Sequence, residues 1–361
     1  MPKILTRDRN INGPINIIRL TDGQKVIYVI GDIHHRDTSC NIINNVDIDD
    51  LLVEVFKEEK DTRYDLFIEL NFDEIKNYHY QYINKTYSYI HNIFKLADDN
   101  FIFENNKIYK SEEMPNVRFH YFDIRQSIPE FWSIFYKTND LEYMIKNPNY
   151  DYILNILVDL IPQLNRFNNY LDSDKNRSIE KIKKKYNNNK IQMKIVLIYH
   201  KYIKTYIRNT LELANEIIIY IRKNYDKFNN FMTVEDKYDM NKVIFINLNK
   251  ISIYLGDMPV YLTDIYLIRR ILDKDYVKNG IIYCGANHML DITYFLVKYF
   301  NFKITHRTYS NKKIDNGSIE KLNNYIYGLN LDNFETLNLL KYLFFKYKQC
   351  SQLLYFPENF K

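Results

Sequence analysis

The sequence predicts an α/β fold with a central, parallel-rich mixed sheet that is flanked by helices and interrupted by a large helical insertion. Apolar runs of strand length alternate with segments of helical periodicity at both ends of the chain, a pattern typical of this class. Between 130 and 275 the periodicity is helical and no strand-like run stands out. We therefore divide the 361 residues into two halves of one α/β core, 1–129 and 276–361, separated by a helical insertion or cap at 130–275.

The N-terminal half begins with a predicted hairpin. Residues 15–20 and 25–30 are largely apolar, and Asp22-Gly23 between them favours a turn whose twist suits two antiparallel strands. The run Val26–Ile30 is apolar at every position, as expected for a strand covered on both faces. The remaining predicted elements of the two halves are helices at 47–60, 74–97 and 289–300 and strands at 64–70, 117–122, 280–284 and 303–308.

The composition excludes several classes of protein. With 46% hydrophobic residues the chain has ample material for a core, which rules out a disordered tail or a fibrous repeat. The 44 Asn, 34 Tyr and three Ala follow A/T-rich codon usage, which favours a genome such as that of a large AT-rich DNA virus. The net charge of +5 comes without a compact Lys/Arg patch interleaved with aromatic residues, so we do not expect nucleic acid as a partner.

The cysteines and the N-terminus bear on the compartment. Cys40, Cys284 and Cys350 are odd in number and have no C-x-x-C spacing, which argues against a disulfide framework or a structural zinc site and fits a reducing compartment. Met1–Arg9 has no apolar stretch behind it that could serve as a signal peptide, and no apolar run approaches 18 residues. We expect a soluble, cytoplasmic or otherwise intracellular protein without a membrane segment, including a viral protein in its host cell.

Polar side chains stand where the predicted parallel strands end. Because the carboxyl ends of such strands face one crevice, where ligands bind, we expect these side chains to converge. Glycine at two of the strand exits lets the backbone approach a ligand or metal closely. The segments are Gly31-Asp32-Ile33-His34 after the first strand, Glu69 at the second, Asp123 and Arg125 after the third, and Gly285-Ala286-Asn287-His288 after the fourth.

The G-x-x-H spacing occurs twice, as Gly31 with His34 and as Gly285 with His288. With eight Gly and eight His in the chain, only about 0.2 such pairs are expected by chance. Both pairs follow apolar strands, so position adds weight to the count.

These motifs resemble the TraB/TIKI superfamily, which is related to the erythromycin-esterase-like and ChaN-like proteins. The resemblance rests on the two G-x-x-H motifs, on Glu69 at a strand end, and on Arg269 or Arg270 in a helix before the second motif. It covers the two ends of the chain and leaves the middle helices unmatched. The resemblance implies an α/β fold. For the TIKI-like members it also implies metal-dependent hydrolysis, with residues that correspond to His34, His288 and Glu69 in or beside the metal site. Other relatives hydrolyse esters or bind haem. Departures are the absence of Gly from Met289–Tyr294 and of a membrane anchor.

The residue types themselves suit a divalent metal ion. Neutral imidazole and carboxylate are good ligands for Mn²⁺, Co²⁺ or Zn²⁺, which can activate water near neutral pH. We therefore expect His34, His288 and Glu69 to be metal ligands. Asp32 could serve as a further ligand or as general base.

An arginine is expected beside the metal ligands. Arg125, Arg269 or Arg270 could hold a carboxylate or phosphate, or stabilise the charge that develops on an oxyanion.

Each candidate also has a structural interpretation. The two motif histidines could simply fix strand-end loops by hydrogen bonds, and Glu69 could pair with a buried arginine such as Arg125, because a carboxylate at a sheet end needs a partner in either case. At least one of Arg269 and Arg270 could be a solvated helix residue.

Three functions compete. The leading hypothesis is a metal-dependent hydrolase of TraB/TIKI-like type acting on a peptide, amide or ester bond of a peptide or small molecule. The alternative is a calcineurin-like metallophosphoesterase, since Asp32-Ile33-His34 resembles the opening D-x-H motif of that family. The family's G-D-x-x-D-R segment is missing, however, and Gly285-Ala286-Asn287-His288 differs from its G-N-H segment by an inserted Ala. The third is a non-catalytic viral interaction protein with an enzyme-like core.

Overall fold

Two units make up the chain, the first formed by Met1–Asp123 with Leu267–Lys361 and the second by Ile124–Tyr266. The computed structural model describes residues 9–33, 40, 45–70, 88–104, 107–108, 111–125, 128, 131–146, 149–173, 190–225, 234–308, 316–329, 340–341, 343–344, 349–353, 356–357 and 360.

The strands belong to the first unit. In chain order they are β1 Asn10–Asn12, β2 Asn16–Thr21, β3 Val26–Asp32, β4 Asn45–Asp47, β5 Tyr64–Ile68, β6 Phe103–Glu104, β7 Lys107–Ile108, β8 Val117–Tyr121, β9 Asn279–Gly285, β10 Lys303–Arg307 and β11 Cys350–Gln352.

The helices are divided between the units. They are α1 Ile48–Glu58, α2 Tyr89–Asn100, α3 Phe131–Lys146, α4 Tyr150–Asp172, α5 Lys190–Ile198, a π-helical segment Tyr199–Lys204, α6 Thr205–Lys223, α7 Val234–Asp273, α8 Ala286–Phe300 and α9 Asn316–Gly328. The predicted helix at 74–97 overlaps α2, and its residues up to 87 lie outside the described part of the chain.

The central sheet has six strands in the order β10-β2-β3-β9-β5-β8. Strands β3, β9, β5 and β8 are mutually parallel, and β2 and β10 add two antiparallel neighbours at one edge. The predicted hairpin is present as β2 and β3, with Gly23 in the left-handed conformation at the turn. The predicted fold class, a parallel-rich mixed sheet flanked by helices, is therefore confirmed.

The two faces of the sheet are covered by different helices. On one face, apolar side chains of α1 and α2 pack on alternate residues of the strands, among them Tyr28, Ile30 and Tyr283. On the other face lies α8, whose Met289 fills the space above Gly31. Since neighbouring residues of a strand point to opposite faces, Ile30 and Gly31 mark the two layers.

A second, three-stranded sheet joins distant parts of the chain. In it β1 pairs with β11 in antiparallel and with β4 in parallel orientation. A disulfide connects Cys40, which precedes β4, with Cys350, the first residue of β11, and Cys284 is buried and takes no part in a disulfide.

This disulfide corrects the expectation that the cysteines would stay reduced. Sequence spacing identifies local C-x-x-C sites, whereas Cys40 and Cys350 are 310 residues apart and are brought together by the two partners of β1. The inference of a reducing compartment loses its basis with it, because disulfides persist in oxidising surroundings.

Only helices occur in the described part of the second unit. Asn149 caps α4 by accepting a hydrogen bond from the Tyr152 N–H at 2.9 Å, as expected for asparagine at this position. Aromatic contacts between Tyr206 and Tyr254, with ring centroids 4.6 Å apart, and between Tyr202 and Tyr261 join α6 and the π-helical segment to α7. Of the helices described in either unit, none is both long and apolar enough to span a bilayer.

Candidate functional site

The carboxyl ends of three parallel strands meet at one edge of the central sheet. Asp32, the last residue of β3, lies opposite Gly285, the last residue of β9. On the other side of β9, Ile68 of β5 lies opposite Tyr283, and the Glu69 N–H extends this pairing by donating to the Tyr283 carbonyl at 3.1 Å. Asp32 and Glu69 therefore flank the end of β9.

The connections that leave these strands switch faces at this point. The chain passes from β3 to α1 on one face, and from β9 directly into α8 on the other. In open α/β sheets the crevice beside such a switch is where ligands bind. The end of β9 is accordingly the position in the first unit that best suits a ligand site.

Glu69 and His288 form a buried pair in this position. Oε1 of Glu69 lies 3.0 Å from Nε2 of His288, and both side chains are 5% exposed. The second carboxylate oxygen, Oε2, accepts a hydrogen bond from the Gly285 N–H at 2.7 Å. Phe122 approaches the imidazole edge-on, with ring centroids 6.3 Å apart, so that the ring is held by a polar and an aromatic contact.

The pair sits at the start of α8, which differs from the expected loop position of His288. The helix begins at Ala286, with Gly285 as its N-cap, so His288 lies in the first turn. A glycine N-cap has no side chain to accept a helix N–H, but the Glu69 carboxylate, one residue after β5, places a negative charge at this helix start by accepting from the Gly285 N–H. The helix start was predicted three residues too late because this cap comes from a distant part of the chain.

Asp32 is fully buried and is surrounded by donors of the protein itself. Its Oδ2 accepts from the Tyr283 hydroxyl at 2.9 Å, and its Oδ1 accepts from Gln349 Nε2 at 2.8 Å and from the Ile33 N–H at 2.6 Å. Burial, and after it the charge of Asp32, raises the pKa of Tyr283 far above its ordinary value, so the hydroxyl keeps its proton and donates it. The geometry makes Asp32 an anchor of the β3 end.

Sequence reasoning missed Gln349 and Tyr283 as partners of Asp32. Gln349 is separated from Asp32 by 317 residues, and Tyr283 by 251. Tyr283 lies in an apolar run, and this pattern predicts a side chain of the hydrophobic core and not a hydrogen-bond donor. No local signal in the sequence could have joined either of them to Asp32.

The candidate arginines are distributed over both units. Arg125 belongs to the second unit, where its carbonyl accepts from the Ile128 N–H. Arg269, whose side chain is 12% exposed, lies 3.5 Å from the carboxylate of Asp273 one helical turn later. Arg270 is half-buried and donates to the Tyr121 carbonyl at 2.8 Å and to His120 Nδ1 at 3.0 Å. The expectation that Arg269 or Arg270 is a solvated residue is wrong. Arg269 is paired with Asp273, and Arg270 donates to acceptors on β8.

Arg270 is part of a charged network on β5 and β8 that sequence analysis did not anticipate. Arg118 donates two hydrogen bonds to the Asp65 carboxylate, of 2.8 Å and 2.6 Å. His120 Nε2 lies 2.8 Å from Asp65 Oδ1. Because Nδ1 of His120 accepts from Arg270, Nε2 must carry the proton that is donated to Asp65. Burial lowers the pKa of His120, and the nearby Arg270 charge adds to the decrease, while Asp65 opposes it.

Metal coordination was predicted for His34, His288 and Glu69. His34 lies outside the residues that the structure describes, as does its neighbour His35. Among the residues that are described, no three His, Cys, Asp or Glu side chains are grouped so as to hold a metal ion. Glu69 and His288 supply two donors of the kinds that Mn²⁺, Co²⁺ and Zn²⁺ accept, so the observed pair fits part of such a site.

Three uncharacterized proteins of Acanthamoeba polyphaga mimivirus are similar to this chain. One is 30% identical and covers 98% of this chain and 99% of its own length. Two others are 28% and 26% identical and cover 99% and 98% of this chain, and 100% and 97% of their own lengths. The expected relationship to a giant virus is thus confirmed at the level of the relatives. No solved structure matches the chain.

The comparison with protein families gives the assignment. A model described as a family of unknown function, DUF5847, matches residues 9–252 and 168–361. These matches take in both motifs and all the elements of the two units. The chain therefore belongs to the DUF5847 family.

Proposed function

We propose that the chain is a metal-dependent hydrolase, similar to the TraB/TIKI superfamily, that acts on a peptide, amide or ester bond. The observation that carries the proposal is the buried contact between Glu69 Oε1 and His288 Nε2 at 3.0 Å, at the carboxyl ends of parallel strands whose connections switch faces. A buried imidazole beside a carboxylate is common to metal sites and to acid–base sites.

In this proposal His34, His288 and Glu69 hold the metal ion, which would be Mn²⁺, Co²⁺ or Zn²⁺. When bound, such an ion polarises a substrate carbonyl and makes water a competent nucleophile near neutral pH. The chain's own contribution is positional. Glu69 orients the His288 ring, and the donors around Asp32 fix the end of β3 two residues before His34.

Binding of Mn²⁺, Co²⁺ and Zn²⁺ to the purified full chain, measured by calorimetry and elemental analysis, tests the proposal. We expect one ion per chain, and we expect His34→Ala, His288→Ala and Glu69→Gln each to weaken binding at least about tenfold. His200→Ala is the matched control, because His200 is an exposed histidine of the second unit and should leave binding unchanged. Failure of all three ions to bind or to raise the melting temperature would refute the metal site.

Activity assays separate the enzyme classes. Peptide, amide and ester substrates should be hydrolysed only by the metal-loaded chain, and not by the His288→Ala variant. Hydrolysis of a phosphodiester alone would instead select the calcineurin-like metallophosphoesterase. That alternative has less support, because Asp32, its proposed metal ligand, is already engaged by Tyr283, Gln349 and the Ile33 N–H.

A non-catalytic role is favoured by a different observation at the same residues. Both carboxylate oxygens of Glu69 already have partners within the chain, Gly285 and His288, so the pair is sufficient to fix the start of α8 without any ligand. A chain that binds none of the ions, with His288→Ala lowering only its stability, would support this interpretation and an interaction function for the protein.

A further inference from the structure

The Cys40–Cys350 disulfide holds the strand that precedes the C-terminal segment. Cys350 pairs with Asn12 in the ladder between β11 and β1, and the side chain of Asn12 accepts from the Cys40 N–H at 2.8 Å. Both ends of the disulfide are thus fastened to the same residue of β1. Strand β11 has only three residues, so its backbone pairing by itself is short.

The residue next to the disulfide is the one that reaches Asp32. Gln349 is fully buried, and its carbonyl accepts from the Gly13 N–H at 3.1 Å while its side chain donates to Asp32 at 2.8 Å. One peptide bond therefore separates the covalent link from a donor of the buried carboxylate. A displacement of Cys350 must move Gln349 with it.

Asp32 in turn is connected to the Glu69–His288 pair through the backbone of β9. It is opposite Gly285 in the β3–β9 ladder, and the Gly285 N–H donates to Glu69. The path from the disulfide through Gln349 and Asp32 therefore reaches Glu69 by way of the Gly285 backbone.

We propose that the Cys40–Cys350 disulfide is a redox-controlled clamp that keeps Gln349 on Asp32. A dithiol reductant supplies two electrons and two protons. Its thiolate attacks the sulfur of Cys350, which is the more exposed of the two cysteines. Its second thiol then displaces Cys350 and closes the reductant's own disulfide. Cys40 and Cys350 are left as thiols, β11 loosens, and Asp32 loses the Gln349 donor. This inference does not depend on the proposed hydrolase activity.

Hydrogen exchange of the full chain, with and without dithiothreitol, tests the clamp in the absence of any substrate or metal. Peptide mapping of the oxidised chain should first recover Cys40 linked to Cys350. On reduction we expect amides of 349–353 and of 10–13, and the Ile33 amide that donates to Asp32, to exchange about tenfold faster or more. Amides of β5 and β8, on the far side of the sheet, should be unchanged.

Two variants distinguish the clamp from a general loss of structure. Gln349→Leu should raise exchange at Ile33 while the disulfide stays intact, and the double variant Cys40→Ser/Cys350→Ser should resemble the reduced chain and no longer respond to dithiothreitol. Cys284→Ala, which removes the buried free thiol, is the control and should respond as the unaltered chain does. If reduction accelerates exchange in 349–353 and leaves Ile33 unaffected, or if the two cysteines are not linked, the proposal is wrong.

Discussion

Single buried charges in the first unit are neutralised by partners from distant parts of the chain. Asp65 is completely buried, and it is paired with both Arg118 and His120 from the neighbouring strand. Arg118 also lies over the ring of Tyr276, with its guanidinium 4.2 Å from the centroid. Burial of a carboxylate is tolerated only when such donors replace the lost water.

Asp65→Asn should destabilise the first unit by roughly 1.5–3 kcal/mol, because it replaces a buried carboxylate by a neutral amide beside Arg118, whose side chain is only 29% exposed. Urea unfolding followed by circular dichroism measures the loss. The matched control is Glu113→Gln, since Glu113 is 70% exposed and lies 3.6 Å from Lys57. A surface pair of this kind contributes less than about 1 kcal/mol, so a loss of equal size in both variants would contradict the importance of the buried network.

Histidine titration should make the unit less stable in acid. Burial, followed by the charge of Arg19, lowers the pKa of His306 to about 4, from an ordinary value of 6.5. The pKa of His120 is lowered as well. A depressed pKa means that the unfolded chain takes up protons first, so the stability present above pH 6.5 declines as the pH falls towards 4.

His306→Gln isolates this effect from the carboxylates that titrate in the same range. We expect the free energy of unfolding of the variant to fall less steeply than that of the unaltered chain between pH 6.5 and 4, the ordinary and the lowered pKa of His306. Urea unfolding at a series of pH values provides the comparison. Identical slopes for the two proteins would show that His306 is not held neutral by burial.

Among the secondary-structure elements, the contact between β3 and α8 explains the glycine of the first G-x-x-H motif. A Cβ at Gly31 would come within 2.5 Å of the Met289 sulfur and 3.2 Å of the Met289 Cβ. The backbone of Gly31 is not in the left-handed region. Close packing of the helix on the strand therefore accounts for glycine here, in place of the ligand approach expected from the motif.

Gly31→Ala should accordingly displace α8 and cost about 1–3 kcal/mol, as overpacked core positions do. Thermal and urea unfolding give the size of the change. Gly256→Ala serves as control, because that glycine lies inside α7 with nothing within 4 Å of an added Cβ, and alanine there should be neutral or slightly stabilising. Equal stability of Gly31→Ala and the unaltered chain would mean that Met289 moves aside at no cost.

The elements that were predictable are those whose signal is local. The hairpin of β2 and β3 follows from Asp22-Gly23 between two apolar runs, and β9 from its own apolar run. Strand β11 was not predicted, because Cys350–Gln352 is short and polar and is held by β1 and by the disulfide. At the site, the sequence placed Asp32 and Glu69 at strand ends, whereas Gln349 and the cap on α8 depend on contacts across more than 200 residues.

At the scale of the whole chain, the first unit combines a parallel-rich mixed sheet with the pairing of β1 and β11, which are more than 300 residues apart in sequence. The extreme Asn and Tyr usage, which fits relatives from a giant virus, leaves the hydrophobic pattern of the parallel strands intact. Asparagine also supplies structural contacts, such as the bond of Asn16 to the Phe344 carbonyl and that of Asn116 to the Phe56 carbonyl. The high Asn content is thus compatible with the α/β pattern of the strands and helices.

The covalent link between Cys40 and Cys350 leads to a prediction for the stability of the entire chain. The disulfide closes a loop of 310 residues, and a loop of this length is expected to stabilise the fold by roughly 2–5 kcal/mol through the unfolded state.

Thiol titration in denaturant should find one free thiol before reduction and three after it. Urea unfolding followed by circular dichroism should then show a lower midpoint for the reduced chain and for Cys40→Ser/Cys350→Ser. Trp132, the single tryptophan, lies in α3 of the second unit, and its fluorescence reports unfolding of that unit as a second probe. A midpoint that reduction leaves unchanged by circular dichroism would mean that the pairing of β1 with β11 persists without the covalent link.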